Sequence, residues 1–300
     1  MIQKRNLHSG LVDYIQSAGG VGTRFAAGGQ TYYVDNNSGA DGASGEDWDH
    51  ALKTLSKAMA VSHANIATGS KTFAKRNTIY LAADSITEDL VLFAHKTDVV
   101  GVGAKDSYSM PCIVGNHVPA ARGTSTRFFN VQFRCPAAGG VIMTLNSSNE
   151  GIQFHGCHFN GWNTIPATIA LMATASPRLE VVGCKFKGAI SVAAIQLNAG
   201  DGNGTIIADN IIGSAGIGID INASFTCVNE QAYVVDNIIN ATGLVIDDDA
   251  DTTIAYIGNR GISAGNFGVT SHDIPAAYSL DNQVTGADSS GLVPSTDQEY

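Results

Sequence analysis

A repeat in the second half of the chain constrains the fold more than any other feature of this sequence. Each unit has a short apolar strand, then Gly, Cys or Asn near one anchor position, then a second apolar residue and a turn. The anchor residues of successive units are Cys157, Cys184, Asn210, Asn237 and Asn259, which are spaced by 27, 26, 27 and 22 residues. A period of this length is typical of solenoids, in which each repeat packs only on its neighbours.

Apolar segments of strand length fill each unit. The segments around the anchors are FFNVQFRC (128–135), IQFHGCHFNG (152–161), LEVVGCKFKG (179–188), TIIADNIIGS (205–214), AYVVDNIINA (232–241) and IAYIGNRGIS (254–263). Further strands are predicted at 141–145, 168–173, 193–199, 217–223 and 243–248. The leucine-rich consensus and the 3.6-residue period of helical repeats are both absent. The sequence therefore predicts an all-β fold, a single-stranded parallel β-helix, and the crossover rule for parallel strands predicts a right-handed coil.

Equivalent residues of successive coils are expected to stack about 4.8 Å apart. The predicted inward stack is Phe133, Phe159, Phe186, Ile212 and Ile239. The Asn side chains of the anchor column can form a hydrogen-bonded ladder, and Asn also tolerates the left-handed backbone of a sharp corner. Gly156 and Gly183, directly before Cys157 and Cys184, would ease the same corner. We interpret this column as structural. The five cysteines form no CxxC pair, and we expect them to be reduced, buried thiols.

The first half of the chain predicts the start of the solenoid. The tetrapeptide TYYV, from Thr31, is typical of a strand, and apolar spacing predicts a helix over about 50–67 with Asp47 or Asp49 at its N-terminus. NTIYLAADSITEDLVL predicts two short strands, and KTDVVGVG and PCIVGN predict two more. Because the first coil of a solenoid exposes its core and its strand edges, we expect the helix to cap that end.

Four segments follow from these patterns. Residues 1–30 are predicted to be an N-terminal arm or docking segment, with helical spacing of Leu7, Leu11 and Ile15. Residues 31–126 would form the N-terminal cap and first coils, and 127–267 the regular coils. Residues 268–300 are polar and weakly patterned, so they predict a tail or cap that a neighbouring chain helps to cover.

Charge and hydropathy exclude several classes of partner. The chain has a formal net charge of −10 and no dense Lys/Arg cluster, which argues against nucleic acid as a partner. It has no run of about 18 apolar residues, so we expect no membrane insertion. The N-terminus has a basic start but no apolar core and no cleavage site, so we expect no secretion signal.

The segment TYYVDNNSGADGASGEDWDHALKTLSKAM, followed by NTIYLAADSITEDLVL and VVGVG…IVGN, resembles the N-terminal region of pectate-lyase-like right-handed β-helix proteins. The resemblance covers about 31–116. It implies the β-helix fold, and it is compatible with polysaccharide lyases, hydrolases, surface proteins and phage tail or capsid appendages. In the phage appendages it implies a homotrimer. The chain departs from the family pattern at His50-Ala51 and at Asp84-Ser85-Ile86, so the resemblance assigns no catalytic residue.

Paired carboxylates would be needed for glycoside hydrolysis. The candidate catalytic residues are Glu180, paired with Asp209 or Asp236, and Asp220, paired with Asp247. The alternative interpretation is a set of solvated carboxylates at strand ends. A lyase would instead need Ca²⁺ and a basic Arg or Lys to remove a proton.

Two acidic segments could bind Ca²⁺, the only cofactor that the sequence suggests. The candidate ligands are Asp35, Asn37, Asp41 and Glu46 in the first segment, and Asp247, Asp249 and Asp251 in the second. Both segments can equally be solvated turns. Trp162 follows a predicted strand and could stack on a carbohydrate, or it could pack in the core or at an interface.

The sequence favours a structural protein over an enzyme. We expect a phage virion component assembled in the host cytoplasm: a head decoration, head fibre, tail fibre or spike subunit. It would contact other virion proteins through residues 1–30, and its β-helix could bind host-surface polysaccharide. The alternative is a small depolymerase, either a polysaccharide lyase or a glycoside hydrolase. A bacterial surface adhesin is a third hypothesis, against which the missing export signal argues.

Overall fold

A computed structural model of the chain describes residues 29–67, 75–104, 109–120, 123–214, 216–250, 254–263, 279–280 and 283–285. Within these residues the strands form three sheets, of ten, nine and five strands, and the neighbouring strands of each sheet pair in parallel. The chain is therefore a parallel β-solenoid, and the predicted all-β fold class is confirmed. The right-handedness of the coil stays a prediction. The predicted helix within residues 1–30 lies outside the described residues.

Within each of the three sheets, neighbouring strands come from successive coils. The ten-stranded sheet contains β1 (Thr31–Val34), β2 (Asn77–Ala82), β4 (Thr97–Val102), β6 (Arg127–Phe129), β9 (Gln153–His155), β12 (Glu180–Val182), β15 (Ile206–Ala208), β18 (Ala232–Val235), β21 (Ile254–Ile257) and β23 (Ser279–Leu280). The nine-stranded sheet contains β3 (Ser85–Thr87), β5 (Cys112–Val114), β7 (Gln132–Arg134), β10 (His158–Gly161), β13 (Lys185–Gly188), β16 (Ile211–Ser214), β19 (Ile238–Ala241), β22 (Arg260–Ser263) and β24 (Gln283–Thr285). The five-stranded sheet contains β8 (Val141–Leu145), β11 (Ala167–Thr174), β14 (Ile190–Asp201), β17 (Ile217–Thr226) and β20 (Ile246–Asp248).

The core is built from stacks of equivalent residues. The predicted stack along the nine-stranded sheet is confirmed, because its register joins Phe133, Phe159, Phe186, Ile212 and Ile239 in consecutive coils. The rings of Phe159 and Phe186 are stacked with their centroids 4.8 Å apart. Such ring pairs add about 0.5–1.5 kcal/mol beyond the area that they bury.

The anchor column forms the predicted ladder. Asn210 Nδ2 donates to Asn237 Oδ1 at 2.9 Å, and Asn237 Nδ2 donates to Asn259 Oδ1 at 2.8 Å. Each Oδ1 also accepts the backbone N–H of the anchor one coil earlier, and each Nδ2 also donates to a backbone carbonyl of the preceding coil. All three side chains are fully buried. Their amide groups are therefore fully used inside the solenoid.

The left-handed corner lies directly before each anchor, as expected for Gly156 and Gly183, and not at the anchor itself. The residues with positive φ are those directly before each anchor, namely Gly156, Gly183, Asp209, Asp236 and Gly258. The interpretation that the anchor Asn takes this conformation was wrong. The backbone N–H at this corner donates to a carbonyl of the next coil, as from Asp209 to Val235 O at 3.0 Å. The anchor is then free to point its amide inward.

Cysteines replace Asn in the earlier coils of the column. Cys157 Sγ contacts Phe128 O at 3.4 Å, and Cys184 Sγ contacts Phe154 O at 3.3 Å. These thiols donate to the same kind of preceding-coil carbonyl as the Asn amides do. Both side chains are buried, and the cysteines are free thiols.

The predicted helix is α1 (Leu55–Ala67), which is shorter than the expected 50–67. It buries Leu55, Met59 and Ile66 and contacts β1 and β2. Its predicted capping by Asp47 or Asp49 was wrong. Closure of the solenoid end by α1 stays a prediction. No helix within the described residues has both the length and the hydropathy to cross a membrane.

The start of α1 is stabilised by side chains distant in sequence. Glu88 accepts hydrogen bonds from the N–H groups of Leu55 and Ser56, and Asp41 accepts from those of Lys53 and Thr54. A carboxylate near a helix N-terminus satisfies donors that have no partner within the helix. Sequence proximity favoured Asp47 and Asp49 as the residues that cap the helix. The solenoid instead brings Glu88 to the start of the helix from the next coil.

The solenoid continues beyond the predicted boundary at residue 267. The strands β23 and β24 pair in parallel with β21 and β22 and extend two of the sheets. Both strands are only two or three residues long and lie in a polar segment. Their sequence therefore carries no apolar pattern from which a coil could have been predicted.

Candidate functional site

Two carboxylates lie side by side on the five-stranded sheet. Asp220 of β17 is in register with Asp247 of β20, and Gln196 of β14 is in register with Asp220. Ile219 and Ile221 flank Asp220 in sequence and are fully buried, so the alternation of the strand directs Asp220 outward. Gln196 Nε2 donates to Asp220 Oδ2 at 2.6 Å. The three residues form one outer column, which we call the acidic column.

Burial and like charge favour the protonated forms of both carboxyl groups. Burial, then Asp249 and Asp220, raise the pKa of Asp247 to about 6. Burial raises the pKa of Asp220, and the hydrogen bond from Gln196 opposes that rise. Asp247 Oδ1 is buried without a hydrogen-bond partner among the described residues. One proton shared near this pair would relieve the repulsion.

Asp248, which the sequence did not single out, points into the solenoid instead. It is in register with Ile221 and only 6% exposed. The Tyr256 hydroxyl donates to its Oδ2 at 2.7 Å, and the Ala250 N–H donates to its Oδ1 at 3.0 Å. Burial, followed by Asp248, raises the pKa of Tyr256 well above its usual range. Asp248 therefore completes the interior of its coil and is closed to a large ligand.

The other candidate carboxylates are not brought together. Glu180 of β12 is in register with Ile206, and it accepts a hydrogen bond from Gln153 Nε2 at 3.0 Å. Asp209 lies three residues beyond Ile206, which is about 10 Å along a strand. Asp209 and Asp236 occupy equivalent exposed corners of successive coils. Of the pairs considered from sequence, only Asp220 with Asp247 shares a register position.

Two carboxylates of the first candidate metal segment accept hydrogen bonds within the protein. The Ser38 hydroxyl and the Asn37 and Ser38 N–H groups donate to Asp35, and these hydrogen bonds lower the pKa of Asp35. Asp41 accepts from the N–H groups of the two residues directly before α1. In the second segment, Asp251 lies outside the described residues. Across the described residues, no three His, Cys, Asp or Glu side chains are arranged to bind a metal ion.

Trp162 is exposed and lies against an arginine. It follows β10 in a tight turn in which the Ile165 N–H donates to Trp162 O at 2.9 Å. Its side chain is 51% exposed, and the guanidinium carbon of Arg134 lies 3.8 Å from the ring centroid. This is a cation–π contact that fixes both side chains. This exposure excludes the core position for Trp162, while glycan stacking and an interface both stay predictions.

Two ion-pair clusters occupy the outer side of the ten-stranded sheet. Asp98, only 4% exposed, accepts from Arg76 Nη1 at 2.7 Å and from Arg127 Nη2 at 2.6 Å. Farther along, the exposed Arg178 pairs with Glu150 at 3.0 Å and with Glu230 at 3.1 Å. Members of each cluster come from different coils, so these ion pairs connect one coil to another. Sequence spacing gave no signal for either cluster.

The strand pairing thus defines the class of this protein as a parallel β-solenoid with an acidic column and an exposed Trp–Arg pair on its outside. No protein-family model matches the chain, and no curated protein matches it. Among solved structures, it is similar to the crystal structure of pectate lyase Pel9A, with 12% sequence identity and a TM-score of 0.46. The match covers 87% of this chain and 78% of that one. The strand pairing of this chain itself shows the β-solenoid fold.

Proposed function

We propose that the chain is a structural component of a phage-type virion whose solenoid displays a surface that binds glycans. The observation that carries the proposal is that interior polar side chains bond to one another while an aromatic side chain faces outward. The repeated polar residues, such as Asn210 and Asn237, complete hydrogen bonds inside the solenoid. An exposed aromatic side chain, Trp162, lies on the outside. A rod with a dedicated interior and a ligand-binding exterior suits a head fibre, tail fibre or decoration protein.

Attachment and assembly are part of the same proposal. Residues 1–30 would dock the protein to other virion proteins, and three copies would associate as a homotrimer in the host cytoplasm. Light scattering during size-exclusion chromatography measures the oligomer directly. A mass of about three chains is expected, and a monomer at micromolar concentration would remove the homotrimer from the proposal.

The virion proposal is tested with purified particles. Mass spectrometry of particles banded in a density gradient should identify this chain in a fixed ratio to a capsid or tail protein. A variant that lacks residues 1–30 is the informative control, because it should fold but remain outside the particle. Particles without the full-length chain would contradict the proposal.

Glycoside hydrolysis is a second candidate function, and the acidic column favours it. In-register neighbours on parallel strands lie about 4.8 Å apart, which is near the carboxyl separation of about 5–5.5 Å in retaining glycosidases. An environment that raises the pKa of one member to about 6 would let Asp247 donate a proton while Asp220 acts as the carboxylate. Both residues lie at the same outer level of the sheet.

Release of reducing sugars from acidic and neutral polysaccharides between pH 4 and pH 8 tests this second function. Activity should peak near pH 5–6 and fall by about 10³-fold in Asp247→Asn, since one general acid typically contributes about 10²–10⁴-fold. Asp236→Asn is the matched control, because it changes an exposed corner aspartate of the same coil region. Equal activity in both variants would exclude the acidic column as a catalytic site.

A further inference from the structure

The outer side of the ten-stranded sheet changes from polar to apolar between β12 and β15. One outward column has charged and amide side chains in the earlier coils, namely Asp98, Arg127, Gln153 and Glu180. The same column continues in register as Ile206 and Tyr233. Ile207 and Val234, which follow them in sequence, are buried, so the alternation of the strands directs Ile206 and Tyr233 outward.

Further apolar side chains adjoin this column on both sides of the corner between the two long sheets. Val235 and Ile257 are in register on the ten-stranded sheet, and Ile211 and Ile238 are in register on the nine-stranded sheet. Tyr233, Ile211 and Ile238 are 39%, 50% and 46% exposed. Apolar side chains that cluster on a surface mark interaction sites, whereas single ones do not. We call these residues the apolar patch: Ile206, Ile211, Tyr233, Val235, Ile238 and Ile257.

The size of the apolar patch selects the kind of occupant. It extends over three coils and about five residues of strand, which is about 250 Å². Stable complexes between separate chains bury about 800 Å² on each partner, so the patch is too small to hold a second copy by itself. A segment tethered to the same chain has an effective concentration in the millimolar range, and a small surface is then sufficient.

The N-terminal arm has a matching pattern in its sequence. Residues 1–28 lie outside the described residues, and Leu7, Leu11 and Ile15 share one face of the helix that their spacing predicts. One helical turn rises about 5.4 Å, close to the coil spacing of about 4.8 Å. Apolar side chains one turn apart can therefore contact equivalent residues of successive coils, such as Ile211 and Ile238.

Charge also favours the arm as the occupant. The exposed Asp236 lies at the corner, between Val235 and Ile238 in the middle of the apolar patch. Lys4 and Arg5 directly precede the apolar positions of the arm in a chain of net charge −10. Opposite charges beside an apolar contact fix the orientation of the docked segment.

The tether is long enough to span the distance. The order of the ten-stranded sheet places β18 seven strand spacings from β1, which is about 34 Å. Residues 16–30 connect the predicted arm helix to β1, and fifteen extended residues span about 50 Å. The arm can thus reach the apolar patch of its own chain.

We infer that residues 4–15 dock as an amphipathic helix on the apolar patch of the same chain. This inference goes beyond the proposed function, because it gives the arm a position on the solenoid that requires no virion protein. Leu7, Leu11 and Ile15 cover the exposed isoleucines, and Lys4 lies near Asp236.

Photo-cross-linking within the full chain tests the inference. p-Benzoyl-phenylalanine replaces Leu11, and the illuminated protein is digested with pepsin and analysed by mass spectrometry. The expected cross-link joins the arm to a peptide that contains Ile211 or Ile238. An equal mixture of unlabelled and ¹⁵N-labelled chains separates the two sources of the arm, because docking within one chain joins only peptides of the same label.

Variants locate the contact. Ile238→Asp should lower the cross-link yield by about 10-fold, because a charge replaces half-exposed apolar surface. Val192→Asp is the matched control, since Val192 is 40% exposed on the five-stranded sheet outside the patch, and it should leave the yield unchanged. Leu7→Asp alters the arm without changing the sequence of the solenoid and should cause the same loss as Ile238→Asp. A thermal melt of each variant establishes that the solenoid is folded.

The outcomes separate this contact from the proposed function. Cross-links to another surface, cross-links to the patch that survive both Ile238→Asp and Leu7→Asp, or no cross-link at all would overturn the inference. Cross-links between peptides of different label would also overturn it, because the arm would then come from a second copy. Absence of the chain from virions removes the virion proposal and leaves a same-label cross-link to the patch in place.

Discussion

The two halves of this solenoid fill the same coil with different chemistry. From β6 to β13, the interior contains stacked phenylalanines, and the anchor column begins with Cys157 and Cys184. From β15 onward, Ile207, Ile212 and Ile239 replace the rings, and an Asn ladder replaces the thiols. In the ten-stranded and nine-stranded sheets, the strand register is continuous across this boundary. The coil is therefore specified by the volume and hydrogen bonding at each position and not by particular residues.

The outside changes at the same place. On the outer column of the five-stranded sheet, Thr144 and Met172 precede Gln196, and Asp220 and Asp247 follow it. The half with the Asn ladder is thus the half with the acidic column. The phenylalanine half, in contrast, carries the Arg134–Trp162 pair on its outside. One regular backbone thus presents different side chains along its outside.

The largest effect is expected in the aromatic half. Phe159→Ala removes a fully buried ring that stacks on both Phe133 and Phe186, and should lower the free energy of unfolding by about 4 kcal/mol. Urea unfolding followed by circular dichroism measures the loss. Val91→Ala, at an exposed side chain, is the control and should change stability by less than about 0.5 kcal/mol. A loss below about 1 kcal/mol at Phe159 would mean that ring stacking does not support this half.

The ladder should be the next most sensitive feature. Asn237→Ala leaves the backbone N–H and side-chain amide of Asn210 without their acceptor, and Ile207 O without its donor. Buried groups that lose partners cost about 1–3 kcal/mol each before relaxation, so we expect a total of about 3 kcal/mol. Asn240→Ala, at the exposed Asn of the same strand, is the matched control. Similar stabilities of the two variants would show that the hydrogen bonds of the ladder do not stabilise the fold.

Extending the ladder into the other half tests whether the two chemistries are interchangeable. Asn210 Oδ1 already accepts the Cys184 N–H, so the amide introduced by Cys184→Asn would lie next to a suitable acceptor. We expect this substitution to change stability by about 1 kcal/mol or less. Val181→Asn buries the same amide in the same coil without that acceptor and should cost several kcal/mol. Equal destabilisation by both would show that the column is not a single structural device.

The smallest expected effect is a pH dependence that belongs to the acidic column. Because the pKa of Asp247 is raised to about 6 in the folded chain, its contribution favours folding below about pH 4 and is lost as the pH rises to 6. The carboxyl group is only partly buried, so after solvent screening we expect a loss of only about 1 kcal/mol. Asp247→Asn should be more stable than the parent at pH 7 and indistinguishable from it at pH 4. Parallel stability curves for the two proteins would contradict the raised pKa.

The sequence alone predicted the features that repeat from coil to coil, but it missed the contacts between residues that are distant in sequence. The Phe–Ile stack and the Asn ladder recur at a fixed interval, so their register could be read from residues such as Phe159 and Asn237. The partners of α1 could not, because Glu88 reaches Leu55 across 33 residues. The pairing of Arg134 with Trp162 was missed for the same reason, since the two side chains lie in different coils. The inward direction of Asp248 was missed as well, because only the strand pairing shows that it lies beside the buried Ile221.

We expect interior polar residues to determine stability and exterior residues to determine glycan binding. The most direct measurement compares Asn237→Ala with Trp162→Ala, using urea unfolding and binding of a labelled oligosaccharide on the same samples. We expect Asn237→Ala to lose about 3 kcal/mol of stability and to bind with parental affinity while folded. Trp162→Ala should keep parental stability and bind about 10-fold more weakly. Loss of affinity in folded Asn237→Ala, or parental affinity in Trp162→Ala, would contradict the separation of interior from exterior.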